Sequence, residues 1–418
     1  MSGKKNKVNA LVPPLRFPEF RAIAEWEAPE LHMISLPVEE RVGDRRLTPV
    51  SISAGTGFVP QAEKFGRDIS GNQYQSYIVV RTGDFVYNKG NSLKFPQGCV
   101  YDLQSSDDVA APNVFICFRL KDGYEKGFFR HCFENNAHGL QLKKHITSGA
   151  RSNGLLNISR EAFFGVKIPT PGRAEQKKIA DCLSSLADLI KAESQKLDAL
   201  KAHKKGLIQN LFPRLEKSVP HLRFPGFQSV GAWTKVAAGH FFSNRIERGS
   251  SSLPIYSVTM TEGLVPRASL SRRIDDIAES SANKTVRKGD IAYNMMRMWQ
   301  GALGVAPEDC MVSPAYIVLK PQNANPFFFS FLLKLPQTLQ TLTAHSRGLT
   351  EDRLRLYYDD FAKVPLLCPS LPEQERIADC LTSVDKLITV QRQKIDRLRL
   401  HKKGLMQQLF PVLDEVAV

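Results

Sequence analysis

The chain lacks the sequence features of a membrane-spanning protein and of a cysteine-rich metal-binding protein. It contains no apolar run of about eighteen residues, and no apolar stretch that would make a signal peptide follows the basic N-terminus MSGKKNK. The seven cysteines form no CxxC pair, which argues against a zinc ribbon and against a dense disulfide framework. We therefore expect a cytoplasmic protein with no membrane contact and no bound metal, whose cysteines are small buried residues.

The chain also lacks the motifs of several enzyme classes. No Gly-x-x-x-x-Gly-Lys-Ser/Thr loop for nucleotide phosphates occurs. The segment Asn325-Pro-Phe-Phe328 comes nearest to the Asn/Asp-Pro-Pro-aromatic tetrad of amino-methyltransferases, but its second proline is missing. We interpret it instead as the start of an apolar helix from Pro326 to Leu335, and we assign this chain no catalytic residue and no cofactor.

Positive charge is present in excess. The chain has 57 Lys and Arg against 42 Asp and Glu, a net charge of +15, which favours attraction to a polyanion such as nucleic acid. Many basic proteins bind no nucleic acid, so charge alone does not show that this chain binds it.

The length of 418 residues suits two domains or more.

The most informative feature is an internal repeat. Residues 175–213 align without a gap on residues 373–411, and 23 of the 39 aligned positions are identical. Leu-Arg-Phe-Pro opens each half at Leu15 and at Leu222, and a Gly-Asp-x-x-Tyr-Asn motif ends at Asn88 and at Asn294. The chain therefore consists of two homologous halves, which diverge most after those two asparagines.

The repeated segment has the apolar pattern of a coiled-coil helix. Its apolar residues alternate at spacings of four and three, which is a heptad seam. The first seam comprises Ile179, Leu183, Leu186, Ile190, Leu197, Leu200, Leu207 and Leu211, interrupted by Glu193 and Lys204. The second comprises Ile377, Leu381, Val384, Ile388, Ile395, Leu398, Leu405 and Leu409, interrupted by Gln391 and Lys402. The pattern predicts two helices of roughly 58 Å that pair with each other; alternatively, each helix packs only on its own domain.

The ends of these helices are marked as well. Ser370-Leu-Pro-Glu373 is typical of a capping box with proline in the first turn. Phe212-Pro213 and Phe410-Pro411 predict where the two helices stop. If Gly206 and Gly404 interrupt the regular coil, each helix is a few turns shorter.

In these features the chain resembles the specificity subunits of type I restriction-modification systems. The resemblance covers nearly the whole chain. It rests on the Glu-Gln-x-x-Ile-Ala helix that closes each half, the Leu-Phe-Pro endings, the Leu-Arg-Phe-Pro openings, and residues 289–302 (GDIAYNMMRMWQGA) with Ser313-Pro-Ala-Tyr316 behind them. It implies a mixed α/β (α+β) fold with two target-recognition domains separated by two long helices that form an antiparallel coiled coil. The implied limits are 1–168 for the N-terminal arm and first recognition domain, 169–213 for the first spacer helix, 214–367 for the second recognition domain, and 368–418 for the second spacer helix and tail.

The resemblance also implies a function. Each recognition domain would read one half of a bipartite, asymmetric site in double-stranded DNA, while the helices would set the gap and dock two methyltransferase (M) subunits. S-adenosylmethionine, ATP and Mg are then expected on the M subunits and on the restriction (R) subunits that join the complex. The chain itself would be a non-catalytic subunit.

The candidate DNA-contacting residues lie mainly where the two halves diverge. Arg and Lys address guanine or phosphate, while Asn and Gln address adenine. The candidates are Lys89, Asn91, Lys94, Arg151 and Asn153 in the first domain, and Arg297, Trp299, Gln300 and Arg347 in the second. Two pairs that both halves share are excluded: we interpret Tyr87 and Tyr293 as core residues, and Asp84 and Asp290 as turn residues.

Two other classes of protein stay open on the sequence alone. One is a coiled-coil scaffold that organises other proteins without touching DNA, and the other is a stand-alone DNA-binding regulator. A scaffold would show no salt-sensitive affinity for DNA. A regulator would need no methyltransferase partner.

Overall fold

The computed structural model describes residues 11–90, 95–146, 156–270, 280–350 and 353–411. It divides into two compact units. Unit 1 comprises the described residues of 1–194 and 394–418, and unit 2 comprises those of 195–393. Each unit therefore combines one globular domain with half of each long helix. Within the described ranges, no helix has the length and apolarity needed to cross a bilayer.

The globular domain of unit 1 contains two four-stranded sheets. One has the strand order β1-β8-β5-β6 and is antiparallel; the other has the order β3-β2-β7-β4, in which only β2 and β7 are parallel. The strands are β1 (Ser35–Pro37), β2 (Thr48–Ser53), β3 (Gly57–Pro60), β4 (Ile78–Val80), β5 (Phe85–Asn88), β6 (Cys99–Asp102), β7 (Val109–Ala111) and β8 (Ile116–Leu120). The helices are α1 (Leu31–Ile34), α2 (Gln61–Phe65), α3 (Lys126–Glu134), α4 (Ala137–Leu142) and α5 (Arg160–Phe164).

Unit 2 repeats this topology. Its antiparallel sheet has the order β10-β17-β14-β15, and β11-β12 and β13-β16 form the counterpart of the second sheet. The strands are β9 (Thr234–Ala237), β10 (Phe242–Asn244), β11 (Tyr256–Thr259), β12 (Gly263–Pro266), β13 (Lys284–Val286), β14 (Ile291–Asn294), β15 (Leu303–Val305), β16 (Cys310–Val312), β17 (Tyr316–Pro321) and β18 (Pro365–Cys368). The helices are α7 (Pro326–Leu332), α8 (Pro336–Ala344) and α9 (Tyr358–Phe361).

The apolar helix predicted from Pro326 to Leu335 begins where expected but ends early. The Asn325 side chain accepts hydrogen bonds from two N–H groups of the first turn, and Pro326 occupies the first helical position. The helix stops at Leu332, because Pro336 disfavours a helical conformation at the residue before it and starts α8 instead. The predicted end was wrong for that reason.

The two repeated segments are continuous helices of 39 residues, α6 (Arg173–Leu211) and α10 (Leu371–Leu409). Neither Gly206 nor Gly404 interrupts them, and every predicted seam position is buried or half-buried. In unit 1, Lys394 Nζ lies 2.5 Å from Glu193, and Ala187 lines the same groove as Lys402, so the two helices run antiparallel. The alternative that each helix packs only on its own domain is thereby excluded.

The lysines that interrupt the two seams have different partners. Lys204 Nζ lies 2.6 and 2.8 Å from the carboxylate oxygens of Asp385 on α10. Lys402 Nζ lies 2.8 Å from both carboxylate oxygens of Glu134, the last residue of α3. The equivalent lysines of the two long helices are thus neutralised by acidic residues on different elements, α10 for Lys204 and α3 for Lys402.

A buried ion pair fixes the start of each long helix to its domain. Arg16 of the first Leu-Arg-Phe-Pro motif donates to both oxygens of Glu175 at 2.9 and 2.7 Å, and Arg223 of the second motif donates to both oxygens of Glu373 at 2.7 Å. All four side chains are less than 8% exposed. The predicted capping box is therefore not formed as expected, because the Glu373 carboxylate binds Arg223 instead of the backbone of Ser370.

The glutamine that follows each of these glutamates joins the helix to a second element. Gln176 donates to the carbonyl of Pro171 at 2.8 Å and accepts from the N–H of Glu125, just before α3, at 3.0 Å. Gln374 makes the corresponding bonds to Pro369 and Asn325 at 3.0 and 3.1 Å. These contacts explain the Glu-Gln pair of the repeat. The glutamate binds the arginine of the Leu-Arg-Phe-Pro motif, and the glutamine binds the residue that precedes α3 or α7.

The far end of each long helix enters the core of the other unit. The Phe212 ring lies 6.0 Å from Trp233 and 5.3 Å from Phe328 in unit 2. The Phe410 ring lies 6.4 Å from Trp26 and 5.3 Å from Phe128 in unit 1. The Leu-Phe-Pro endings therefore supply matching core side chains, and each domain is completed by the helix that started in the other.

Asp84 and Asp290 do more than form turns. Each accepts a backbone N–H from the residue three positions earlier, as expected of a turn residue. Each is also almost fully buried and binds a guanidinium through both oxygens: Asp84 binds Arg119 at 2.6 and 2.9 Å, and Asp290 binds Arg245 at 2.5 and 3.1 Å. The arginine lies on β8 in one half and directly after β10 in the other. Both halves therefore have the same ion pair, but strands that are not equivalent supply its arginine.

We predict that Glu175→Gln lowers the free energy of unfolding by about 3–5 kcal/mol, because the Arg16 guanidinium would stay buried without its counter-charge. Asp181→Asn is the control on the same helix, since its pair with Lys177 is more than 60% exposed and is worth about 0.5 kcal/mol or less. Urea unfolding of the full chain measures both, and hydrogen exchange locates the loss. Equal effects of the two substitutions would contradict the anchoring role.

Candidate nucleic-acid interface

In each unit, the turn after one strand and the loop before a short helix meet at the same place. In unit 2, Leu356 N–H donates to the carbonyl of Met295 at 2.9 Å. In unit 1, Leu156 N–H donates to the carbonyl of Lys89 at 2.9 Å. Lys89 and Met295 directly follow the repeated Tyr-Asn motif, so the segments in which the two halves diverge are joined to equivalent positions of one scaffold.

The shared Tyr-Asn motif explains how the turn is built. Asn294 accepts from the N–H of Met296 at 3.0 Å, and Asn88 accepts from the N–H of Gly90 at 2.7 Å, which is how asparagine stabilises a turn. The tyrosines lie beneath. Tyr87 stacks on Phe163 with ring centroids 4.4 Å apart, both tyrosines are fully buried, and burial raises the pKa of each hydroxyl. Their interpretation as core residues is confirmed.

The structure places the four candidates of the second domain on this turn and loop. Arg297 is exposed and makes no side-chain hydrogen bond or ion pair with another described residue, while Trp299 and Gln300 are half-buried in a 3-10 helix, Met298–Gln300. Arg347 is also exposed, but its guanidinium donates to both oxygens of Asp360 at 2.6 and 3.0 Å. Nothing in the sequence marks Asp360, thirteen residues away, as the partner of Arg347.

The candidates of the first domain are less completely described. Lys89 is half-buried and has an interaction partner. Asn91, Lys94, Arg151 and Asn153 lie outside the described residues. Their assignment as contact residues stays a prediction.

Two further arginines share the loop of the second domain and were missed from the sequence. Arg347 and Arg355 are bridged by a pair of backbone hydrogen bonds of 2.9 and 2.8 Å, and Arg353 lies between them. Arg353 is exposed and its side chain has no partner among the described residues. The sequence does show three arginines within nine residues, which could have indicated a contact with nucleic acid. The structure adds that their loop lies beside the turn that carries Arg297.

A metal site on this surface would need several ligating side chains close together. Over the described ranges, no group of three or more His, Cys, Asp or Glu side chains is placed to hold an ion. The seven cysteines are free, and burial raises the pKa of Cys117 to about 12. Five of the seven are buried, as expected, while Cys182 and Cys380 are half-buried.

A cavity of about 780 Å³ lies within unit 1, between the β2–β3 hairpin, β6, α3 and the long helices. On its wall, burial would raise the pKa of Glu134, but hydrogen bonds from His131 and Lys402 outweigh burial and lower that pKa to about 2. His138 also lines the cavity; it is 1% exposed, and neither ring nitrogen has a hydrogen-bond partner among the described residues. Burial lowers the pKa of His138 to about 4.

Comparison with known proteins gives consistent matches. The model of one family, the type I restriction modification DNA specificity domain, matches residues 67–202 and 237–400. The type I restriction enzyme MjaVIII specificity subunit of Methanocaldococcus jannaschii is 24% identical over 295 residues, 65% of this chain and 68% of that protein. The putative MjaX specificity subunit of the same organism is 26% identical over 363 residues, 82% and 81% of the two chains.

Two solved structures share the fold. The specificity subunit of a type I restriction-modification system from M. genitalium superimposes with a TM-score of 0.60 at 12% identity, covering 96% of this chain and 100% of that one. A chain from a study of assembly and conformational transition in a type I system gives 0.54 at 19% identity, covering 92% and 97%. The mixed α/β fold with two long helices is thereby confirmed.

We predict that His138 makes unit 1 sensitive to acid. The folded state keeps its imidazole neutral down to about pH 4, whereas the unfolded chain takes up a proton near pH 6.5, so stability falls as pH drops through this window. Between pH 7 and pH 5 the loss from this group is about 2 kcal/mol. His138→Phe should remove that part of the pH dependence in urea unfolding.

His32→Gln is the control, because the His32 ring is 58% exposed. The loss of stability that His138 causes between pH 7 and pH 5 should persist in this variant. If His138→Phe and wild type lose the same stability between pH 7 and pH 5, the buried imidazole is not the cause.

Proposed function

We propose, since this chain belongs to the family of the type I restriction modification DNA specificity domain, that its two recognition domains each read one half of a bipartite DNA site. DNA sequence specificity is the function of the family. The observation that carries the finer proposal is the duplicated junction of turn and loop, built on the same Tyr-Asn scaffold in both units but covered by different residues. Two equivalent surfaces with unlike side chains suit two unlike half-sites.

The unlike residues make the proposed site asymmetric. Lys89 begins the variable turn in unit 1, whereas unit 2 has Met295 there, and its Arg297 has no side-chain partner in the described part of the chain. A guanidinium without a protein partner is free to bind guanine or phosphate. Arg347, held by Asp360, is better suited to positioning its loop than to reading a base.

We further propose that α6 and α10 set the gap between the half-sites and dock two M subunits. Each helix is uninterrupted over 39 residues and is anchored at its start by a buried ion pair and at its end by an aromatic ring. A continuous helix has a fixed rise per residue, so its length is a defined distance. R subunits join through the complex. Methyl transfer with S-adenosylmethionine, and ATP- and Mg-dependent steps, belong to those partners, while this chain does no chemistry.

We predict that exchanging residues 214–367 for the corresponding domain of a relative changes one half-site and leaves the other half-site and the gap unchanged. Inserting four residues, one helical turn, into both α6 and α10 should lengthen the gap and leave both half-sites unchanged. Mapping methylated adenines after coexpression with the methyltransferase partner measures both. A swap that alters both half-sites, or neither, would refute the modular arrangement.

We predict that Arg297→Ala weakens binding of the chain and its partner to specific DNA by about tenfold. If Arg297 contacts phosphate, the slope of log affinity against log salt falls by about one; if it contacts a base, one position of the half-site becomes degenerate. Lys177→Ala removes one charge from the exposed surface of α6 and should do neither. A variant with unchanged affinity at every salt concentration would exclude Arg297 from the interface.

A further inference from the structure

Leu349 is the most exposed large apolar side chain in the described part of unit 2. Its relative exposure is 100%, and it follows Arg347 and Gly348 in the loop that joins the Arg297 turn. A single exposed leucine is ordinary on a protein surface. Its setting is what makes this residue informative.

The loop that carries Leu349 is braced. The backbone bridge between Arg347 and Arg355 closes it, and the Arg347 side chain is fixed to Asp360. Gly348 has φ +142°, and a Cβ there would lie 2.5 Å from the carbonyl oxygen of Arg353, so the close approach requires glycine. The backbone beside Leu349 is thus fixed by Gly348 and by the bridge between Arg347 and Arg355, and the leucine side chain is fully exposed.

The surroundings of the tip are basic. Arg297 and Arg353 are exposed and their side chains have no partner among the described residues, and Arg355 Nη1 donates only to the carbonyl of Arg353 at 3.2 Å. Among the described residues, Asp360 neutralises Arg347, whereas Arg297, Arg353 and Arg355 have no acidic partner. Arginines of this kind fit the phosphates that flank a groove, but a leucine cannot bind phosphate.

We propose, building on the proposed function, that Leu349 is a specificity-determining residue that contacts a thymine in the half-site read by the second domain. The C5-methyl of thymine is the apolar group that base edges present in the major groove, and an apolar side chain recognises it by contact. The arginines around the tip bind the phosphates of the DNA backbone and fix how deeply the loop enters the major groove. Leu349 then discriminates at one base pair.

The test compares wild type with Leu349→Ala in the complex with the methyltransferase partner. Adenine-methylation mapping should show one position of one half-site, a thymine, become degenerate in the variant, with the other half-site unchanged. In binding measurements, replacing that thymine by uracil should weaken wild type about fourfold, the effect of one methyl group, and should weaken Leu349→Ala less than twofold.

Two controls separate the explanations. Leu140→Ala removes a leucine that is 64% exposed in unit 1 and should leave the motif of the second domain unchanged. Arg353→Ala should lower affinity at all sequences and reduce the salt dependence, without changing the motif. Thermal unfolding of Leu349→Ala should match wild type, since the side chain packs against nothing.

The proposal is overturned if Leu349→Ala keeps the full motif and the full response to uracil. It is also overturned if the variant loses copurified methyltransferase while its motif stays intact, because the leucine would then bind protein. Failure of the broader function is a different result, in which wild type itself yields no bipartite motif.

Discussion

The buried arginine–glutamate pair is the interaction on which the rest of the structure depends. Arg16 with Glu175, and Arg223 with Glu373, join the first motif of each half to the first turn of each long helix. An ion pair this deeply buried is costly to desolvate, so either partner alone would destabilise the fold strongly. Because two hydrogen bonds fix its geometry, the pair also sets the direction in which each helix leaves its domain.

The adjacent glutamines and the aromatic helix ends extend that constraint. Gln176 and Gln374 tie the same first turn to α3 and α7, and Phe410 and Phe212 complete the cores in which those helices lie. Each domain therefore contains the start of one helix and the end of the other. The repeat is kept identical where these contacts occur, and it diverges on the surface that we assign to DNA.

Periodicity and self-comparison predicted the features that depend on local pattern. The seams of α6 and α10, the Tyr-Asn core and the duplicated halves all follow from the spacing of residues in the chain. Contacts between residues far apart in the sequence could not be predicted in this way. No local pattern shows that Arg16 pairs with Glu175. Nor does one show that the buried aspartate pairs with Arg119 in one half and with Arg245 in the other. At the candidate interface, the sequence identified residue types. It did not reveal that Asp360 binds Arg347, whereas Arg297 has no side-chain partner within the described ranges.

In the function that we propose, one duplicated scaffold carries two different readers of DNA. Coexpressing the chain with its methyltransferase partner and mapping methylated adenines across the host genome tests it most directly. We expect one asymmetric motif of two unlike half-sites with a fixed gap of unspecified bases. A continuous motif, a palindrome of two identical half-sites, or no motif at all would contradict it.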